Sequence, residues 1–147
     1  MLTIAAPALQ TMVMNNRIST AASDLMVDLT YARATAIQRG VRVGMCRSTS
    51  LTACDGTAWE QGWMIYTDAA SDGYTSGTDT ILRVREALSG ALTIAPTPAA
   101  ASVLFRPSGP ADAARTFRLC APGYVGRDIS ISTTGRVESA VMTSACS

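Results

Sequence analysis

Four cysteines and no histidine define the chemistry open to this chain of 147 residues. Cys46 and Cys54 bracket the stretch CRSTSLTAC, while Cys120 and Cys146 lie in the C-terminal part. Without imidazole there is no Ser-His-Asp or Cys-His triad, no imidazole general base and no imidazole metal ligand. No C-x-x-C occurs either, so the spacing of a zinc ribbon or a thioredoxin-like dithiol is missing. An even cysteine count in such a domain points to disulfides and an oxidising compartment; the plainer alternative is four reduced, buried thiols in a cytosolic domain. Four cysteines allow three connectivities. The expected pairing is Cys46 with Cys54 and Cys120 with Cys146, whose loops would contribute roughly 2.5 and roughly 3.5 kcal/mol if unstrained.

The carboxylates offer one metal-like constellation. In DAASDGYTSGTD, Asp68, Asp72, Gly73 and Asp79 take the first, fifth, sixth and twelfth positions of a calcium-loop pattern. Ala70 stands at the third position, the twelfth is Asp rather than the longer Glu, and no helix pair is expected around the segment. A solvated hairpin loop is the plainer reading, with calcium as the minority one that a metal titration decides. Otherwise Glu60, Glu86, Glu138 and the aspartates lie mostly beside turn residues. With no activated nucleophile and no complete ligand set, the chain is not expected to be an enzyme, to carry a cofactor or to take a small-molecule substrate.

All twelve basic residues are arginine, and eleven acidic ones leave a net charge of +1. A polyanionic partner would therefore have to be held by a local arginine patch rather than by the overall field. Trp59 and Trp63 could form an aromatic platform, but their offset fits core anchoring better, Trp63 buried and Trp59 the more exposed of the two.

The elements that position these residues come in two parts, residues 1–40 and 41–147. Ile18, Ala22, Leu25, Leu29, Ala32 and Ala36 recur at alternating spacings of four and three, one apolar stripe along a helix that Gly40 ends. Tyr31 and Ile37 flank this stripe, with Asp24, Asp28, Arg33 and Arg39 placed off it. Upstream, LTIAAPAL is apolar and uncharged; it is far shorter than the about twenty residues of a membrane helix and reads as the end of a longer hydrophobic segment. Beyond Gly40 the period becomes two. Short strands are expected around residues 41–45, 62–67, 80–86, 92–94, 103–105, 116–120, 129–132 and 136–142, with APTPAAAS at 95–102 as a loop and a turn at 133–135. The fold class is α+β, a long N-terminal helix on an antiparallel sheet or sandwich of seven or eight strands.

This order resembles the type IV pilin architecture, and local motifs narrow the resemblance to the FimT/GspH group of minor pilins and pseudopilins. Asn16-Arg17 followed by Leu29-Thr30-Tyr31-Ala32-Arg33-Ala34-Thr35-Ala36-Ile37-Gln38-Arg39-Gly40 is similar to the group's helix signature. Val43-Gly44-Met45-Cys46, Cys54 and the run Trp59-Glu60-Gln61-Gly62-Trp63-Met64-Ile65-Tyr66-Thr67-Asp68 are similar to its cysteine and G-W motifs. Ile129-Ser130-Ile131-Ser132 with Thr134-Gly135-Arg136-Val137 resembles its C-terminal strand and G-R motif.

The resemblance implies a structural subunit at or near the tip of a type IV pilus that helps prime assembly. It also implies a leader and a hydrophobic anchor ahead of Leu2, and a route from the inner membrane and periplasm to the cell-surface pilus. Its partners would be other pilins, through Ile4, Leu9, Met12 and Val13 with neighbouring Met14, and the inner membrane before assembly. Two alternatives stand beside this: a GspH-like pseudopilin of a type II secretion system, and a DNA-binding minor pilin for uptake in natural transformation. In the DNA-binding group a G-R-x-R motif puts two arginines on one strand face. Here Arg136 is followed by Glu138, so a patch would need Arg127, Arg115 and Arg118, and Arg136 could equally pair with Glu138.

Overall fold

The computed structural model describes residues 5–147. One helix, α1 (Ala5–Arg39), precedes eight strands. They are β1 (Val43–Arg47), β2 (Trp63–Thr67), β3 (Ile81–Arg85), β4 (Thr93–Thr97), β5 (Ser102–Phe105), β6 (Arg115–Cys120), β7 (Val125–Ile131) and β8 (Val137–Ala145). They form two four-stranded antiparallel sheets, ordered β3-β2-β1-β5 and β4-β6-β7-β8. The architecture is the expected α+β arrangement, one helix across two antiparallel sheets.

At 1.5 Å per residue the 35-residue helix is about 52 Å long, longer than a domain of this size can cover. Its second half lies on the sheets: Ile18, Ala22, Leu25, Leu29, Ala32 and Ala36 are all buried. Gly40 adopts φ 66° and donates its N–H to the Ala36 carbonyl at 3.0 Å, the left-handed turn that ends the helix. The stripe meets Val43, Met45 and Ile65 of one sheet and Phe117, Leu119, Ile129 and Ile131 of the other in a single core.

Three expectations need correction. Asp28 is not off the stripe: it is fully buried. Trp59 is not the exposed tryptophan, since it is only 1% exposed. Its ring meets Phe117 of β6 edge-on at 5.1 Å, and its indole N–H donates to the Ala100 carbonyl in the β4–β5 connection at 2.9 Å. Residues 95–97 are strand rather than loop, because Ala95, Pro96 and Thr97 pair with Arg118, Phe117 and Thr116. Pro96 is tolerated because β4 is an edge strand. In addition β7 starts at Val125 and β8 runs on to Ala145, both beyond their expected bounds.

Candidate assembly surface

The helix leaves its domain at Ile18. Between Pro7 and Arg17 every described side chain is exposed except Met14, which is half-buried against the core. Leu9, Met12 and Val13 are exposed by 61%, 69% and 43%. Ile4 lies outside the described residues. The apolar side chains of Leu9, Met12 and Val13 have no sheet beneath them. Leu9, Val13, Met14 and Arg17 also border a hollow of about 400 Å³ closed on its far side by Tyr124. Among the described residues no helix is long and apolar enough to cross a membrane.

The other half is tied to β2 and β3 through Asp28 as well as through its apolar stripe. The Asp28 carboxylate accepts from the Trp63 indole N–H at 2.8 Å, from Arg85 Nε and Nη2 at 3.0 Å each, and from Arg83 Nη1 at 3.1 Å. Both oxygens are thus fully used, which is what makes a buried charge tolerable. The hydrogen bonds that Arg85 donates to Asp28 raise the Arg85 pKa above the ordinary arginine value. Arg83 also stacks on the Tyr31 ring at 3.9 Å, and Arg85 reaches Asp24 at 3.7 Å. Residue types gave no sign of this cluster; the one available signal was Asp28 standing beside Leu29 and three positions from Leu25.

At the end of the helix, Arg33 donates to the carbonyls of Gly109 and Thr134 at 3.1 and 3.3 Å, bracing the β5–β6 connection against the β7–β8 turn. Gly135, in that turn, has φ 88°, and a Cβ there would meet the Gly109 carbonyl oxygen at 2.1 Å. The glycine of the G-R motif therefore has a packing role of its own.

The arginines do not gather into one patch. Alternation puts Arg118, like Thr116, on the outer face of its sheet, while Arg115 shares the side of Phe117, and Arg127 that of Ile129 and Ile131. Arg118 forms a bidentate pair with Asp128 at 2.9 and 3.0 Å, Arg115 bonds Asp112 at 2.8 Å, and Arg136 pairs with Glu138. Arg136, Glu138 and Arg115 border a shallow groove of about 540 Å³ that also carries the hydroxyls of Thr97, Thr116 and Ser130.

Asp68, Asp72 and Asp79 do converge, each offering an oxygen within 4.8 Å of the others. Asp68 is buried and accepts from the N–H groups of Asp72 and Gly73, while Asp79 accepts from that of Thr75. These bonds organise the loop in the way carboxylates do in turns.

Cys46 is bonded to Cys54 and Cys120 to Cys146, with Cα–Cα distances of 5.6 and 5.7 Å. Within the first loop Asp55 accepts from the N–H groups of Thr49 and Ser50, which lowers its pKa to about 2.

Residues 21–135 match the family described as "Type II transport protein GspH". The chain belongs to the GspH family. The GspH match begins where the helix becomes buried and stops at the turn before β8, so the exposed half of the helix and the last strand lie outside it. The crystal structure of the type IV minor pilin FimU of Pseudomonas aeruginosa, strain PAO1, in space group P21 has a TM-score of 0.73 and 24% identity to this GspH-family chain. The match covers 92% of this chain and 99% of FimU. The P65 crystal form of FimU has a TM-score of 0.67 and 25% identity, covering 87% and 99%. No curated protein sequence matches significantly. The GspH family and the FimU fold are those of FimT/FimU-type pilin-like subunits.

Proposed function

We propose that the chain is a minor pilin of a type IV pilus, a structural subunit at or near the tip that helps prime assembly. The observation that carries this reading is a single helix divided between two environments. From Ile18 onward it is locked to the sheets, and from Pro7 to Arg17 it presents Leu9, Met12 and Val13 to solvent. Helices of neighbouring pilins are the partners such a surface fits, with the subunit held in the inner membrane and facing the periplasm before it joins the surface filament. The FimU likeness supports the pilus setting.

The family description favours a second reading, a pseudopilin of a type II secretion system. Deleting the gene in its own host separates the two. Loss of surface pili with normal protein secretion, restored by the wild-type gene but not by Met12→Asp with Val13→Asp, is the result expected of the pilin. Normal pili with failed secretion would overturn it in favour of the pseudopilin. Uptake of DNA has weaker support, because Arg115, Arg118 and Arg136 each already face a carboxylate.

A further inference from the structure

Of the four sheet edges, three are guarded. On β4 the Ile94 N–H donates to Glu60 at 3.1 Å, and Pro96 has no N–H to offer. The β5 edge is occupied by Asp112, whose carboxylate accepts from the Leu104 N–H and whose own N–H donates to the Leu104 carbonyl. The β3 edge is five residues long and carries Arg83 and Arg85. The β8 edge differs: it is nine residues long, holds no proline or lysine, has Glu138 as its one charge, and keeps an unbroken register with β7 from Val137 to Val141 before a shift nearer Ala145. Natural sheets rarely leave so long and uncharged an edge open unless something pairs with it.

The hydrogen-bond pattern identifies which groups are free. The Ser132 N–H donates to the Arg136 carbonyl, and Glu138 and Ala140 pair with Ser130 and Asp128. Alternation along an antiparallel ladder then turns the N–H and C=O groups of Val137, Ser139 and Val141 away from β7. Val141 is 62% exposed.

We propose that the β8 edge pairs with the β8 edge of a second copy of this chain, antiparallel about a two-fold axis at Ser139, joining two sheets into one of eight strands. The argument for a second copy is self-complementarity. Val137-Glu138-Ser139-Ala140-Val141 reads nearly the same in both directions. A two-fold at Ser139 sets Val137 against Val141 on one face and Glu138 against Ala140 on the other, so apolar meets apolar and no like charges oppose. Strand pairing alone covers less than the roughly 1,000 Å² of a stable interface, so the pair is weak and concentration-dependent. The axis is perpendicular to the sheet and reverses the second helix. The pair therefore joins domains on two separate assemblies, and it leaves Leu9, Met12 and Val13 free for helix packing.

Sedimentation equilibrium of the 147-residue chain from micromolar to millimolar concentration tests this. The expected result is a monomer–dimer equilibrium that Ser139→Pro abolishes, since its N–H faces away from β7 and the fold tolerates the ring. Val141→Lys, which leaves the backbone intact, is expected to weaken dimerisation at least tenfold. Leu9→Ser with Met12→Ser is expected to leave the equilibrium unchanged. A chain that stays monomeric at millimolar concentration, or a dimer kept by both β8 variants, overturns the proposal. So does a dimer lost only in the helix variant, a result that would leave the filament reading standing.

Discussion

Replacing Asp28 by asparagine keeps the shape of the side chain and removes its charge. Its one oxygen can still accept from Trp63 and from Arg85 Nε, the latter without charge assistance, whereas the amide nitrogen standing in for Oδ1 cannot accept from Arg83 Nη1 or Arg85 Nη2. Breaking a fully buried ion pair costs roughly 3–5 kcal/mol. The Arg83 and Arg85 side chains are 38% and 31% exposed, so each regains part of its hydration, and a discounted cost of about 2 kcal/mol follows. For a chain of this size that corresponds to a fall in Tm of about 4–8 °C. Asp28→Leu leaves the Trp63 N–H unpaired as well, adding about 1–2 kcal/mol. Thermal and urea unfolding with both disulfides intact measure these differences, and the loss should persist in high salt because Asp28 is buried. A Tm for Asp28→Asn within a degree of wild type, or a leucine variant more stable than the asparagine one, would refute the reasoning.

Acid titration followed by amide NMR should show Thr49 and Ser50 shifting together with a midpoint of about 2, because Asp55 holds its lowered pKa through those two N–H groups. Since the folded value lies below the unfolded one, the contribution of Asp55 is present above the ordinary carboxylate range and is lost as pH falls toward 2. Tyr66 shows the opposite sense: burial pushes its pKa up to about 12, so its phenolate absorbance should appear late and stability should fall as pH rises from about 10 to about 12. Glu138→Arg turns a neutral pair into two positive charges beside the groove, and short duplex DNA should then bind at least about tenfold more tightly at low salt in an anisotropy titration, with a steeper salt slope. Gly135→Ala must distort a left-handed turn and displace the Gly109 carbonyl, at roughly 2–3 kcal/mol, measured as a drop in unfolding midpoint.

What could be read from the chain was whatever its local pattern determines. The spacing of Ile18 through Ala36 encodes a helix face, and all six residues are buried. Short apolar or alternating runs between turn residues marked where the eight strands lie, although β1 and β2 are buried on both faces and do not show a period of two in their burial. Partnership across long separations was not legible. Asp28 looked like a surface charge because the groups that bond its carboxylate, Trp63, Arg83 and Arg85, are 35, 55 and 57 residues away. Trp59 looked exposed because Phe117, which covers it, belongs to the other sheet. Pro96 and Pro98 made 95–102 read as a loop, although an edge strand accommodates the first of them. For the candidate surface, the exposed half of the helix follows from apolar residues lying beyond the reach of the sheets, and Arg136 with Glu138 was legible as a local pair, whereas the pairing of Arg118 with Asp128 needed the register of β6 and β7.

The bond between Cys120 and Cys146 anchors the far end of β8 to β6, past the last residue of the strand. An edge strand with a free terminus opens by peeling, one residue at a time from its loose end. Here both ends are held, one by the β7–β8 turn and the other by sulfur, so peeling has no place to start. The strand can detach only by bulging from its middle, where several pairings must break together. From Val137 to Val141, where its register with β7 is unbroken, the open edge is therefore held in place, a ruler rather than a fraying thread.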